Sequence, residues 1–242
     1  MAIPRRTLIL SVALTLLVVS GSCVVLNRPT TTLQAIDGRV TAHTIPLYVK
    51  AIDFVQRHYQ YRLLVSRICG DTEGAACATR LFDWTHENIE ATPAGWPLID
   101  DHVLNIVIRG HGHDWQRALV FATLSSYAGM RAFIHRIHGP DGRGTLVLTF
   151  VEIDDRWIPF DVDHHVTFRA RDGRFADVAS LVRDPASVDG HTAGILPEGF
   201  RYSHFISPRT LDPFVPPEWL HAELQNPLLR LEYEIRDLVG WN

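Results

Sequence analysis

The chain is expected to be α+β: a central helix packed on an antiparallel sheet, preceded by one N-terminal membrane segment. Three observations predict this. Apolar residues recur at helical spacing at Leu47, Ala51, Phe54 and Val55, and a second apolar helical stretch ends at Gly129. Strand-like segments joined by turn residues follow from Phe133 to Val162. Arg5 and Arg6 precede an uncharged run, Thr7 to Asn27, rich in Leu, Val and Ile.

That run is long enough for a bilayer, since roughly 20 helical residues span the hydrocarbon core. The two arginines favour a cytoplasmic N-terminus, with everything after Asn27 on the far side. A cleaved signal peptide competes, because Leu8 to Val19 has the length of a signal core and Ser20-Gly21-Ser22 precedes Cys23. Lipidation of Cys23 is a third reading, although Ser20 stands where lipoprotein signals usually carry Leu. All three place the domain outside the cytoplasm. The expected location is anchored to the inner membrane, facing the periplasm or the cell exterior.

A chain of 242 residues buries one substantial core, or one core with an appendage. The expected organisation is a signal anchor or signal peptide over 1–27, a linker over 28–45, the core domain over 46–175 and a loop-rich, helical extension over 176–242. The net charge of −4 has both signs mixed along the chain, so no footprint for nucleic acid is visible.

Element by element, residues 28–45 read as a polar, Thr-rich linker. Pro46 to about Ile68 reads as an amphipathic helix, and Ala75 to Asn88 as a second with Cys77, Leu81, Trp84 and Thr85 near one face. Pro93 to Asp101 is a loop, and Val103 to Ile108 a short apolar segment leading into a glycine turn. Asp114 to Ala128 is the central buried helix. Phe133 to His138, Thr145 to Ile153 and Trp157 to Val162 read as strands, the first two joined by Gly139-Pro140-Asp141-Gly142. A hairpin is expected from Val166 to Phe175 across Arg171-Asp172-Gly173, then a short helix over Val178 to Arg183. Asp184 to Pro217 is rich in Pro, Gly, Ser and His, and helix returns over Glu218 to Leu238 with a break at Pro227. Besides Cys23 there are only Cys69 and Cys77, whose short spacing favours a disulfide in an oxidising compartment over two separate thiols.

The chemistry concentrates between Arg109 and Gly129. A glycine-rich turn runs into an apolar helix, a geometry that presents unpaired backbone N–H groups and the helix dipole to an anion. Yet the first turn carries Asp114, and no Cys, Ser or Thr lies between Gly110 and Ala122. Gly110-His111-Gly112-His113-Asp114, with Ala118, Leu124 and Gly129-Met130, resembles the nucleophile helix of the transglutaminase-like, papain-related superfamily. Members commonly read Gly-x-Gly-x-Cys there, and Asp114 stands at the Cys position. Val151 to Asp161 resembles the family's strand pair ending in Trp-x-x-x-Asp, which makes Asp161 the counterpart of the triad acid. The strand from Gly144 to Glu152 holds no His, and Leu146 or Leu148 takes that place.

Asp114 has two readings. As an N-cap its carboxylate accepts from the N–H of Gln116 or Arg117 and complements the dipole. As a nucleophile or base it is weakened by that same dipole and has no His partner evident in the sequence. The cap is preferred. His111 and His113 can reach one cation from an extended backbone, with Asp114, His102, or residues among Asp161, Asp163, His164 and His165 adding ligands. Alternatively they hydrogen-bond Asp114 or Asp161, or are simply solvated. Asp161 either satisfies backbone donors at a strand end or pairs with Arg109, and Trp157 and Phe160 read as core.

The preferred function is a non-catalytic binding or scaffold module of the bacterial cell envelope, with the membrane and an envelope protein or polysaccharide as partners and no cofactor. The surface-polysaccharide association comes from the family resemblance alone. The competing reading is a hydrolase or acyltransferase using Asp114, His111, His113 and Asp161, with or without a divalent metal.

Overall fold

The structure, a computed structural model, describes residues 5–36, 39–97, 102–139, 142–170, 172–211, 213–217 and 220–239. The expected loop at 98–101, the tips of the turns at 140–141 and 171, and the expected helix start at 218–219 lie outside the described residues. The chain divides into two compact units, one ending at Arg57 and one running from His58 onward.

In the first unit, α1 (Arg5–Leu26) takes up the apolar run. Among the described residues no helix is long and apolar enough to cross a membrane. Most side chains of the first half of α1 lie outside the described ones, and the expected membrane segment has no support from the structure. β1 (Pro29–Ile36) and β2 (Arg39–Pro46) form an antiparallel hairpin, with Thr30 opposite Ile45 and Thr31 opposite Thr44. This is the stretch that reads as a polar linker. The difference has a plain cause: threonine counts as polar by composition, yet its branched Cβ suits a pleated strand.

The second unit begins within α2 (Leu47–Cys69) and continues into α3 (Gly74–Asn88). The two helices are joined by the disulfide Cys69–Cys77, whose residues are both buried. A short parallel pair, β3 (Glu90–Ala91) and β4 (His111–Gly112), brackets α4 (Val103–Arg109). Then come α5 (Asp114–Tyr127) and four antiparallel strands in sequential order: β5 (Ala132–His138), β6 (Thr145–Ile153), β7 (Arg156–Asp161) and β8 (Val166–Thr167). A bridge between Arg169 and Phe175 continues the expected hairpin. α6 (Val178–Arg183), α7 (Ala186–Thr192), α8 (Tyr202–Phe205) and α9 (Pro208–Leu211) follow. A 3-10 turn at Glu223–Gln225 precedes α10 (Pro227–Val239), which Pro227 opens at the position where a missing N–H costs least.

Strand alternation explains the layering. On β6, Val151 and Ile153 join Phe82, Val120, Phe121 and Phe160 in the core shared with α3 and α5. Leu146, Leu148 and Phe150 point the other way, into a second core with Tyr202, Phe205, Ile206 and Leu211. The sheet is therefore covered on both faces, which is why β6 is nearly continuously apolar. The loop-rich segment after Asp184 is what covers its second face.

The disulfide closes a short loop between two packed helices. Converting Cys69 and Cys77 to Ser together is expected to lower unfolding stability by about 2–3 kcal/mol, by the loop-closure entropy released to the unfolded chain. Urea denaturation with and without reductant checks this: reductant should reproduce the loss in the native sequence and leave the double variant unchanged.

Candidate functional site

The glycine turn has a specific steric basis. Gly110 ends α4 in the left-handed region at φ 70°, which glycine adopts without strain. A Cβ on Gly112 would stand 3.1 Å from the Gln116 Cβ and 3.2 Å from a methyl of Ile106, so a side chain there would require α4 or α5 to give by a few tenths of an ångström. These two positions set where α5 begins.

That beginning differs from the expected one. His113, not Asp114, is the N-cap, with extended backbone, and its N–H donates to Gln116 Oε1 at 3.1 Å. Asp114 is the first helical residue, and its Oδ1 accepts from the Trp115 N–H at 2.7 Å. The cap is displaced by one residue because buried Gln116 reaches back and fixes His113. The Asp114 carboxylate still lies at the positive end of the helix dipole.

Around this turn, Arg109 donates through Nε to the His111 carbonyl at 2.8 Å and through Nη2 to Gln116 Oε1 at 3.2 Å. The expected Arg109–Asp161 pair is thus replaced by bonds within the turn. The His111 ring stands edge-on to Trp96, with centroids 5.0 Å apart. Burial, then the charges of Arg109 and His113, hold His111 below the ordinary histidine range, with Glu90 opposing. Nδ1 of His111 and Nε2 of His113 are buried and have no hydrogen-bond partner. No hydrogen bond or ion pair among the described residues joins His111, His113 or Asp114 to Asp161. Nor, among them, does any group of three His, Cys, Asp or Glu residues stand where it could hold a metal ion.

The ordered polar chemistry lies at the end of β7. Asp161 is fully buried. Its Oδ1 accepts from the backbone N–H of His164 at 3.0 Å, and its Oδ2 lies 2.9 Å from His164 Nδ1. The Tyr202 hydroxyl donates to the same Oδ2 at 2.7 Å. The hydrogen bond to Asp161 raises the His164 pKa. Burial opposes the rise, the charges of Asp161 and Asp163 add to it, and Arg117 detracts. Burial first, then the Asp161 charge, pushes the Tyr202 hydroxyl far above its usual range, so it remains a donor.

Beside this pair, buried Arg117 of α5 reaches Asp163 Oδ1 at 2.6 Å and the Asp163 carbonyl at 3.3 Å. Its other terminal nitrogen lies 3.1 Å from His86 Nδ1, which is also 3.2 Å from the Val162 carbonyl. One nitrogen cannot serve both contacts. Guanidinium only donates, so the Arg117 bond requires a bare Nδ1, whereas the Val162 bond requires a protonated one. His165, in the left-handed region at φ 56°, stacks on His86 at 4.2 Å and bonds Asp83 at 2.9 Å.

The register places the remaining family position. Thr149 pairs with Phe160, which sets Leu148 beside Asp161. Of the two leucines the sequence leaves open, Leu148 therefore faces the acid, and it is fully buried. Alternation turns both residues to the face covered by Tyr202, while Thr149 faces α5 and donates to the Ala118 carbonyl. The imidazole bound to Asp161 comes from the turn after β7, not from β6. Tyr202 and His86 are absent from the sequence reading, and Arg117 enters it only through its backbone N–H. Arg117 was detectable as a charged residue inside an apolar helix, whereas Tyr202 carries no local signal.

No family model matches the chain, and no curated protein matches it. Among solved structures, a candidate cysteine protease from Cytophaga hutchinsonii is similar over 51% of this chain and 44% of its own, at 16% identity and a TM-score of 0.39. A candidate protease from Parabacteroides distasonis is similar over 54% and 35%, at 9% identity and a TM-score of 0.35. A protein described as a TGase is similar over 71% and 52%, at 10% identity and a TM-score of 0.37. The chain spans about half or less of each, and superposition at that level decides nothing by itself.

Two tests address the Asp161 network. Tyr202→Phe is expected to cost about 1.5–3 kcal/mol, the range for a hydrogen bond to a charged group, read from urea unfolding. The raised His164 pKa gives a sign for pH. The pairing contributes fully below the unfolded value of about 6.5 and is lost as pH rises through the higher folded value. The stability difference between the native chain and His164→Gln should therefore shrink from pH 6 to pH 9. A constant difference would show that His164 pairs without its proton.

Proposed function

We propose that this chain is an extracytoplasmic, membrane-attached domain of transglutaminase-like architecture that binds an envelope partner and does not transfer acyl groups. The observation that carries this reading is the fate of the three positions the family chemistry needs. A carboxylate, Asp114, opens the central helix where a thiol is required. A buried leucine, Leu148, stands beside the acid. The acid itself is enclosed by His164 and Tyr202. The two cysteines of the second unit are joined to each other, so no thiolate is available there for nucleophilic attack.

The membrane attachment rests on the uncharged run after Arg5 and Arg6, and the oxidising compartment on the Cys69–Cys77 bond. The polysaccharide class of partner comes from the family resemblance. A hydrolase is the second reading, favoured by the 2.9 Å His164–Asp161 contact, which has the form of a base held by an orienting carboxylate.

One experiment separates the two. Full-length protein in detergent is incubated with purified envelope polysaccharide and with peptidoglycan, scoring both sedimentation with polymer and release of reducing ends or amines. Binding without release, unchanged in Asp114→Asn, is expected. Release that disappears in His164→Gln would establish the hydrolase, and absence of binding to either polymer would remove the envelope reading.

A further inference from the structure

At the opposite end of β7 from Asp161 lies a half-open groove of about 710 Å³, bounded by the start of β7, α6, α9 and Phe214. This volume falls within the roughly 300–1,000 Å³ typical of small-molecule sites. Val178, Ala179, Val182, Pro208 and Leu211 line it without a side-chain hydrogen-bonding group. The rings of Trp157 and Phe214, 6.2 Å apart, form an apolar wall.

Four charged residues stand on this groove: Asp155, Arg156, Asp177 and Arg183. Asp177 caps α6: its Oδ1 accepts from the Ser180 N–H at 2.8 Å. Although burial opposes it, the Ser180 bonds and then the charges of Arg156 and Arg183 keep this carboxyl below its ordinary range. Asp155 is exposed on the hairpin turn, at φ 58°. Neither guanidinium makes a hydrogen bond or ion pair among the described residues. Two arginines that make no hydrogen bond or ion pair among the described residues, and whose charges act on Asp177, therefore flank an apolar trough.

We propose that this groove binds a single-chain carboxylate amphiphile, its carboxylate meeting Arg156 and Arg183 and its chain lying on Val182, Leu211, Trp157 and Phe214. Guanidinium presents a planar fork that matches a carboxylate. Exposed ion pairs alone are weak, so the apolar trough supplies the remaining affinity. The lack of side-chain hydrogen-bonding groups on the floor disfavours a sugar, and the two guanidiniums on the rim disfavour a cation. Neither Asp114 nor Asp161 lines the groove, and the proposal is independent of the polysaccharide reading.

Dodecanoate, kept below its micelle concentration, is titrated calorimetrically into full-length protein in phosphatidylcholine nanodiscs, with empty discs subtracted. Saturable binding near one per chain is expected. Affinity should fall at least about tenfold in R156Q/R183Q, which removes bonds to a charged ligand. It should be abolished by Ala179→Trp, which fills the trough from an exposed position, and unaffected by competing dodecyltrimethylammonium. Near-UV circular dichroism confirms that each variant is folded. Absence of saturable binding, equal affinity in R156Q/R183Q, or binding only to phosphatidylglycerol vesicles would overturn the proposal.

Discussion

A buried carboxylate is the constraint from which the rest of the second unit follows. Removing Asp161 from water carries a penalty of several kcal/mol unless donors replace the lost solvation. The protein supplies three: the backbone and ring of His164 and the hydroxyl of Tyr202. The first two fix the turn between β7 and β8. The third fastens α8 to the end of the sheet and, with it, the segment that buries Leu146, Leu148 and Phe150. Asp161 thereby organises a turn and a covering layer.

The helix start tells a parallel story. Gly110 and Gly112 are favoured by backbone conformation and by the close approach of α4 to α5, whatever residue occupies position 114. His113 and Gln116 satisfy the turn, and Arg117 ties the next turn of α5 to Asp163. Among the described residues no hydrogen bond joins the polar groups at the helix start to Asp161, and Arg117 links α5 to the turn after β7.

Much of this architecture is legible in the sequence. The extents of β6 and α6 match their apolar patterns, and α5 ends at the expected glycine, because burial imposes a strict period on those segments. The Cys69–Cys77 bond is the pairing that the short spacing favours. The hairpin of β1 and β2 is hidden by its threonines. The cap at His113 is hidden because Asp114 is the stronger capping residue and only the reach of Gln116 decides between them. His164 stands in the sequence as one of several possible ligands, but its bond to Asp161 depends on how the turn folds. Tyr202 is out of reach of any local pattern, since a contact across so much chain is made by packing alone.

The enclosure of Asp161 is tested most directly by following the His164 ring with nitrogen-labelled histidine NMR across pH. The account predicts a midpoint above the ordinary value of about 6.5, an Nδ1 proton protected from exchange, and return of both to ordinary behaviour in Asp161→Asn. A midpoint at or below the ordinary value in the native chain, with a freely exchanging Nδ1 proton, would contradict it.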